Sequence, residues 1–206
     1  MRGLLELDVS RETLDALKYF EDLVVLWNPA INLISNSSIA DLWSRHIVDS
    51  AQLFLFTLPD EGLWLDVGSG GGFPGIVVSI IAKELAPSLW VVLVESDNRK
   101  CVFLRTVIRE LGLSVKVIND RIENVKLDGV VYLSARALRN LNSLLFIVEN
   151  NVSRETVCVF PKGRSYKKEL VESQKNWKFD FNLIDSNTSE DSKVIVLKGL
   201  ERVSRG

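Results

Sequence analysis

The chain has few residues suited to covalent cross-links or metal sites. Its 206 residues include two cysteines, Cys101 and Cys158, and a single histidine, His46. The cysteines form no CxxC pair, so the sequence encodes neither a disulfide framework nor a zinc site, and it fits a reducing cytoplasm. One histidine also argues against a histidine-rich metal centre. We therefore expect a cytoplasmic protein that holds no metal.

Long apolar stretches are also missing. The uncharged run 67–82 is too short and too rich in glycine and proline to cross a bilayer. The first ten residues carry Arg2, Glu6 and Asp8, and they lack the continuous apolar core of a signal peptide. We expect neither membrane insertion nor export.

Excess charge of one sign is absent too, since the formal net charge is −2. Taken alone, this value disfavours a nucleic-acid partner. Basic residues nevertheless cluster in two segments, 99–109 and 160–178. The second segment contains six lysines and arginines but only two glutamates. Such runs are usually solvated helix faces, and a phosphate-binding surface is the alternative.

The first 60 residues have a helical pattern. Ser10 can cap a helix whose apolar residues recur at helical spacing. Asn28-Pro29 should end this helix, because the residue before a proline avoids the helical region. Ser38 with Asp41 resembles a capping box that begins a second helix. We interpret residues 1–60 as an N-terminal helical extension.

From residue 61 the pattern changes to short apolar strands that alternate with amphipathic helices. Strands are predicted at 63–67, 90–95, 114–118, 130–133, 156–160 and 193–197, and helices at 74–86, 98–111, 141–150 and 167–175. This alternation predicts an α/β fold: a Rossmann-like domain over 61–206, with a mostly parallel, seven-stranded sheet and helices on both faces. The polar stretch 178–192 is expected to form a loop or an edge hairpin. The extension and the domain should make one structural unit.

The strongest local signal is a glycine-rich loop after the first predicted strand. It reads Asp66-Val67-Gly68-Ser69-Gly70-Gly71-Gly72-Phe73-Pro74-Gly75. Glycines permit a sharp turn and let a ligand approach the backbone, and open α/β sheets bind ligands at the carboxyl ends of their strands. Five glycines in eight residues exceed what a plain turn needs. The loop therefore predicts a ligand site.

Two classes of ligand fit this loop. Residues 70–75 match the dinucleotide fingerprint G-x-G-x-x-G, but that register begins beyond the strand end and puts Pro74 in the phosphate turn. Residues 66–72 match D-x-G-x-G-x-G, which starts at the strand end and is similar to the loop of class I methyltransferases. Those enzymes bind S-adenosyl-L-methionine, and we favour this second register.

Charged residues follow the other predicted strands at the same sheet edge. Glu95 can accept hydrogen bonds from both ribose hydroxyls of either ligand class. The segment 121–123 lies where an adenine ring would sit. Arg136 can hold a cofactor carboxylate or an RNA phosphate, and Lys162 and Arg164 can grip RNA phosphates. The non-functional alternatives are that Glu95 is a solvated acid at a strand end and that the basic residues form ion pairs at the surface.

Several motifs together resemble one known family. They are Asn32-Leu33, Arg45-His46-Ile47-Val48-Asp49-Ser50, the loop with its Phe73-Pro74-Gly75, Glu95-Ser96, Arg121-Ile122-Glu123, Arg136-Ala137 and Lys162-Gly163. In this combination the chain resembles the ribosomal RNA small subunit methyltransferase G family, also called glucose-inhibited division protein B. The resemblance covers about residues 32–198. Two positions depart from the family pattern. The family usually has Ser-Arg-Ala, but here Ala135 intervenes between Ser134 and Arg136, and Pro161 stands where an aliphatic residue usually precedes Lys162-Gly163.

The resemblance implies methyl transfer from S-adenosyl-L-methionine to N7 of a guanosine in 16S rRNA of the small ribosomal subunit or its precursor. The cofactor-binding residues expected from the family pattern and from the loop are Gly68, Gly70, Gly72, Phe73, Glu95, Ile122, Glu123 and Arg136. Candidate RNA contacts are His46, Lys162 and Arg164, although His46 fits N-terminal packing equally well. N7 carries a lone pair and no proton, so its direct attack needs no general base, and we assign no catalytic residue.

Two other functions stay open at this point. One is methylation of a small molecule or a protein. The other is a non-catalytic Rossmann-like module that binds RNA or nucleotides, which the intact loop and Glu95 disfavour. Cys101 and Cys158 are interpreted as core residues. Nothing demands a dimer, so we expect a monomer.

Overall fold

The computed structural model describes residues 7–203. The first six residues of the predicted extension, among them Arg2 and Glu6, and the last three residues of the predicted domain lie outside the described residues. The helices are α1 Arg11–Ile31, α2 Asp49–Thr57, α3 Gly75–Leu85, α4 Asn98–Leu111, α5 Leu141–Val148 and α6 Tyr166–Ser173. The strands are β1 Glu61–Val67, β2 Ser88–Glu95, β3 Val115–Asn119, β4 Val130–Ser134, β5 Val157–Lys162, β6 Trp177–Asp185 and β7 Lys193–Arg202. Short 3₁₀ turns occur at Asn36–Ser38, Ile122–Asn124 and Glu149–Asn151, and a π-helix spans Trp43–Val48.

The seven strands form one sheet in the order β3-β2-β1-β4-β5-β7-β6. The first five are parallel, and β7 runs antiparallel to both β5 and β6. The strand order reverses at β1, which lies between β2 and β4. A crevice at such a reversal, outside the carboxyl ends of the strands, is where open α/β sheets hold their ligands. The expected mostly parallel, seven-stranded α/β fold is confirmed.

Successive residues of the strands point to opposite faces of the sheet, and their side chains are buried in two hydrophobic cores, one on each face. Trp64 and Leu93 point to the face covered by α1 to α4, and Leu65 and Val94 point to the face covered by α5 and α6. The N-terminal helix α1 belongs to the first core, because its Phe20 is fully buried there. The helical N-terminal region thus packs directly on the sheet domain.

Helix α1 begins as expected but ends later. The Ser10 side chain accepts a hydrogen bond from the Thr13 backbone N–H at 3.2 Å. The prediction that Asn28-Pro29 ends the helix is wrong, since α1 includes Pro29 and stops at Ile31. Asn28 stabilises this extra turn: its backbone oxygen accepts from the Asn32 N–H, and its side chain accepts from the Ile34 N–H.

The predicted capping box at Ser38 does not form. The Ser38 backbone N–H donates to the Ser35 backbone oxygen at 2.9 Å and closes a 3₁₀ turn instead, and the Ser38 hydroxyl donates to the same oxygen at 2.8 Å. The following residues form the π-helix and then α2. This π-helix carries Arg45 and His46 toward the sheet edge where the glycine loop lies.

The polar stretch 178–192 forms an edge hairpin, one of the two predicted alternatives. Strands β6 and β7 pair from Trp177 with Arg202 to Asp185 with Lys193, and residues 186–192 make the turn between them. No helix within residues 7–203 is both long and apolar enough to span a bilayer.

Candidate active site

The carboxyl ends of β1, β2 and β4 open into a cavity of about 650 Å³, which we call the glycine-loop cavity. Its lining includes the predicted residues Gly68, Gly70, Phe73, Glu95, Ile122, Glu123, Arg136 and His46. This volume is that of a typical small-molecule site. The structure therefore brings eight sequence-predicted residues to one place.

The glycine loop turns sharply at the end of β1. Gly68 and Gly70 have φ angles of +67° and +55°, a region in which side chains are strained. The loop is anchored to the neighbouring strand because the Gly68 and Ser69 backbone N–H groups both donate to the Val94 oxygen. These contacts leave the cavity face of the loop as bare backbone, open to a ligand.

Gly72 does not line this cavity. A Cβ at Gly72 would lie 2.7 Å from the side chain of Ile76, so this glycine faces the protein beneath the loop. Close packing against Ile76 therefore accounts for the glycine at position 72.

The dinucleotide register fits the geometry poorly. Of its three glycines only Gly70 lines the cavity, whereas Gly75 is pressed against the core. A Cβ at Gly75 would lie 2.3 Å from Leu93 and 2.8 Å from the carboxylate of Asp66. Of the three glycines of the methyltransferase register, two, Gly68 and Gly70, line the cavity, and both have positive φ angles.

Glu95 is fixed at the cavity wall by backbone donors. Its Oε2 accepts from the Gly70 N–H at 2.8 Å, and its Oε1 accepts from the Asp97 N–H at 2.7 Å. Each carboxylate oxygen has a second lone pair, so both can still accept a hydrogen bond from a ligand hydroxyl. The loop and the acid therefore hold one another in the arrangement that a ribose would need.

The remaining walls differ in polarity. Ile122 is buried and contributes apolar surface, as the flat face of a purine requires. Glu123 lies beside it and faces Arg139, with 3.7 Å between Oε1 and Nη2. Phe73 packs against both Phe20 and His46, with ring centroids 5.1 Å apart in each case.

Arg136 joins the glycine loop to the π-helix. Its guanidinium carbon lies 4.9 Å from the Phe73 ring centroid, and Nη1 donates to the Arg45 backbone oxygen at 3.1 Å. Nη2 lies 2.5 Å from Nδ1 of His46. A guanidinium only donates, so Nδ1 must accept, and the imidazole proton is on Nε2. Burial lowers the pKa of Arg136, and the Asp49 carboxylate opposes that shift.

His46 is therefore a neutral imidazole with a fixed tautomer. Burial, followed by the charges of Arg136 and Arg45, lowers the pKa of His46 from 6.5 to about 3. Nε2 is buried without a hydrogen-bond partner among the described residues. The side chain lines the glycine-loop cavity and a neighbouring one, which fits both packing and a role at the entrance.

We expect the NMR signal of His46 to stay unchanged between pH 5 and pH 8 in the native protein. Since this is the only histidine, the imidazole resonance is unambiguous. In urea it should titrate near pH 6.5. A pKa lowered by folding means that this group's contribution to stability is present above pH 6.5 and is lost as the pH falls toward 3. A native midpoint close to 6.5 would contradict the buried pairing with Arg136.

A second cavity of about 550 Å³ adjoins the first, and we call it the hairpin cavity because Ser186 and Ser192 of the β6–β7 turn line it. The two cavities share a wall made of Ser35, His46, Arg136, Ala137, Leu138 and Arg139. The basic residues that line the hairpin cavity are Arg45, Arg136, Arg139, Lys162 and Lys193, and its acids are Asp49 and Glu169. Positive charge is thus concentrated here in a protein whose net charge is −2.

The two predicted phosphate-binding residues after β5 have different surroundings. Lys162 lies in the hairpin cavity, where Nζ donates to the Arg139 oxygen at 2.8 Å and pairs with Glu169 at 3.0 Å. Arg164 lines neither cavity and is exposed, and its Nε donates to Asp191 at 2.8 Å. The structure therefore brings Lys162 to the site and leaves Arg164 at the surface.

Three polar residues near the site, two of them buried and one largely buried, were not predicted as functional. Asp66 is fully buried under the loop, while Asp49 and Gln52 hold the hairpin turn. A polar residue on an otherwise apolar helix or strand face was the available signal. The cysteines are core residues as interpreted: both are buried, and burial raises the pKa of the Cys158 thiol to about 12.

Comparison with known proteins points to one family. A family model described as rRNA small subunit methyltransferase G matches residues 13–194. A protein of Ruegeria sp. (strain TM1040) named Ribosomal RNA small subunit methyltransferase G is 48% identical over 202 residues, which are 98% of each chain. A protein of the same name from Bartonella henselae is 43% identical over 190 residues, covering 91% of this chain and 87% of its own.

Solved structures resemble the chain in fold at low sequence identity. The Podospora anserina methyltransferase PaMTH1 bound to SAH gives a TM-score of 0.62 at 10% identity, over 93% of this chain and 88% of its own. A ribosomal protein L11 methylase from Lactobacillus delbrueckii subsp. bulgaricus gives 0.59 at 11% identity, over 75% and 78%. These likenesses concern the fold, which is that of class I methyltransferases.

Proposed function

Because the chain belongs to the rRNA small subunit methyltransferase G family, we propose that it transfers a methyl group from S-adenosyl-L-methionine to N7 of a guanosine in 16S rRNA. The observation that carries the proposal is the pair of adjoining cavities. One presents bare loop backbone and a fixed carboxylate, and the other is lined by basic side chains. They share the wall at His46 and Arg136, so a donor and an acceptor can meet there.

The residues of the glycine-loop cavity suit the cofactor. Gly68 and Gly70 leave room for its sulfonium end, and Glu95 offers acceptors to both ribose hydroxyls. Ile122 provides an apolar surface for the adenine, with Glu123 beside it. Arg136 and Phe73 close the end that faces the hairpin cavity.

The hairpin cavity is the proposed site of the acceptor nucleotide. Arg45 and Arg139 can pair with phosphates of the RNA, and such contacts fix its position without reading its sequence. Lys193 adds positive charge to the same wall but is already paired with Asp185. Lys162 belongs to the same wall but is held by Glu169, so it shapes the cavity as well as charging it. An acidic protein whose basic residues are concentrated only locally should bind free RNA weakly and in a salt-dependent manner.

For this reaction the protein mainly has to align the nucleophilic N7 with the methyl group of the cofactor. When bound, the cofactor supplies an electrophilic methyl group on a positively charged sulfur. The N7 lone pair attacks it directly, so the side chains have to bring nucleophile and methyl into line and keep water out. His46 and Arg136 lie at the junction, and their mutual hydrogen bond fixes the orientation of both. We propose no general base, because N7 has no proton to lose.

We propose that the target belongs to the small ribosomal subunit or its precursor, that the enzyme acts in the cytoplasm, and that it works as a monomer. We also propose that residues 1–60 serve as a helical extension of the methyltransferase domain at 61–206, since α1 packs on α3 and α4.

S-adenosyl-L-methionine at 100 times its Kd is expected to raise the Tm by roughly 5–10 °C, because binding to the native state alone adds about 2.7 kcal/mol. NAD and NADP, run in parallel, should leave the Tm unchanged. Labelled methyl should then enter 16S rRNA of 30S subunits that lack the modification, at guanine N7. Stabilisation by NAD instead would overturn the cofactor, and methylation of a protein or metabolite without RNA would overturn the substrate.

A further inference from the structure

We propose that Asp49 is a positioning residue that holds the β6–β7 turn as a wall of the acceptor cavity and couples it to Arg136. The inference deepens the proposed function and rests on it, because it assigns the hairpin cavity to RNA. It gives the polar turn 186–192 a role in binding the acceptor rather than the cofactor.

The first turn of α2 forms hydrogen bonds with the β6–β7 turn, which lies more than 130 residues later in the sequence. Oδ1 of Asp49 accepts from the Thr188 hydroxyl at 2.8 Å and from the Gln52 side-chain amide at 2.7 Å. Oε1 of Gln52 accepts from the Asn187 backbone N–H at 2.9 Å. The Gln52 side-chain amide also donates to the Ser186 hydroxyl. Three of these contacts, those with Ser186, Asn187 and Thr188, fix a turn that lies beyond the last β6–β7 pair, Asp185 with Lys193.

The other oxygen of Asp49 faces the shared wall. Oδ2 lies 3.7 Å from Nη1 of Arg136, and both side chains are only 15% exposed. Arg136 in turn holds His46 and covers Phe73 of the glycine loop. One carboxylate therefore contacts the turn through Oδ1 and the residues between the two cavities through Oδ2.

The turn contributes to the cavity through Ser186 and Ser192. Its hold on α2 consists of hydrogen bonds rather than apolar packing, so loss of one acceptor should release the turn without unfolding the core. The glycine-loop cavity is lined by other residues, and neither the turn nor Asp49 belongs to its lining. Releasing the turn should therefore weaken the acceptor side and spare the cofactor side.

Two substitutions separate the functions of the carboxylate. Asp49→Ala removes both contacts, and we expect the KM for 30S subunits to rise at least about tenfold, a loss of about 1.4 kcal/mol. Asp49→Asn keeps an acceptor for Thr188 but loses the charge that faces Arg136, and its effect should be intermediate. Glu190→Ala, at an exposed position of the same turn, is the matched control and should behave as the wild type. The Kd for S-adenosyl-L-methionine should stay unchanged in Glu190→Ala, and in the two Asp49 variants it should change several-fold less than the KM for 30S subunits, because Asp49 reaches the cofactor side only through Arg136.

Hydrogen exchange gives a readout independent of activity. In Asp49→Ala the backbone amides of residues 186–192 should exchange faster, while those of β1 and β2 stay protected. Unchanged exchange in the turn would overturn the proposal, as would a KM for 30S subunits equal to that of the wild type. If Asp49→Ala instead weakened cofactor binding as strongly as RNA binding, Asp49 would be a general structural residue. A wild-type enzyme that methylates no RNA would refute the proposed function, and exchange would then decide the positioning role by itself.

Discussion

Replacing Gly68 with valine is expected to lower the affinity for S-adenosyl-L-methionine by about 100-fold or more, a loss of roughly 2.7 kcal/mol. Two causes act together. Gly68 has a φ of +67°, where a β-branched residue is strained. A Cβ there would also lie 2.8 Å from the side chain of Leu138, which lines both cavities, so the added methyl groups must take space from the cofactor or the shared wall.

A matched control separates these two causes. Gly129 has a φ of +75°, and nothing lies within 4 Å of the Cβ that a side chain would add. Gly129→Val therefore carries similar backbone strain at the amino end of β4, away from the cavity. We expect both valine variants to lose stability through backbone strain, Gly68→Val also through its contact with Leu138, and only Gly68→Val to lose cofactor binding in calorimetry. Equal affinity of the two variants for the cofactor would show that the glycine loop does not bind it.

The fold was largely predictable because its elements are marked by local chemistry. Helix α4 is the clearest case: Asp97 caps it, and Gly112 ends it in the left-handed conformation, so both bounds match the prediction. At Pro29 the local rule failed. There the contacts of buried Asn28 with Asn32 and Ile34, which depend on the tertiary fold, stabilise one more turn than the proline rule allows.

The cofactor side of the site was predictable for a related reason. Residues that follow neighbouring parallel strands must meet at one sheet edge, so Gly68, Glu95 and Arg136 were expected together, and the structure places them in one cavity. Gly72, which was expected in the same cavity, lies outside its lining, because a glycine required by close packing and one required by a ligand look alike in a sequence.

The acceptor side could not be read from the sequence in the same way. The hairpin cavity joins a π-helix near residue 46 to a turn near residue 188, and no local motif encodes that contact. Asp49 illustrates the difficulty. It belongs to a quoted motif, yet its partner Thr188 lies in a stretch with no clear pattern. Long-range polar contacts of this kind depend on the completed fold.

Asp66→Asn is expected to become more stable relative to the wild type as the pH rises, by about 3 kcal/mol between pH 4 and pH 8. Asp66 is fully buried, with Oδ1 accepting from the Ser134 hydroxyl at 2.7 Å and Oδ2 accepting from the Gly75 N–H at 3.1 Å. Burial nevertheless outweighs these hydrogen bonds and raises the pKa of Asp66 from 3.8 to about 6. Asparagine has the shape of the protonated acid and cannot ionise, so it avoids the cost of a buried charge.

The direction of the effect follows from proton binding. Between about pH 3.8 and pH 6 the native state holds a proton on Asp66 that the unfolded chain has lost. The stability that this group contributes is therefore complete below pH 3.8 and is lost as the pH rises through 6. His46 acts in the opposite direction over part of this range, but it is present in both proteins and cancels in their difference. Urea unfolding of both proteins at pH 4, 6 and 8 measures that difference, and one that does not change with pH would show that Asp66 is ionised at little cost, with its charge compensated by its surroundings.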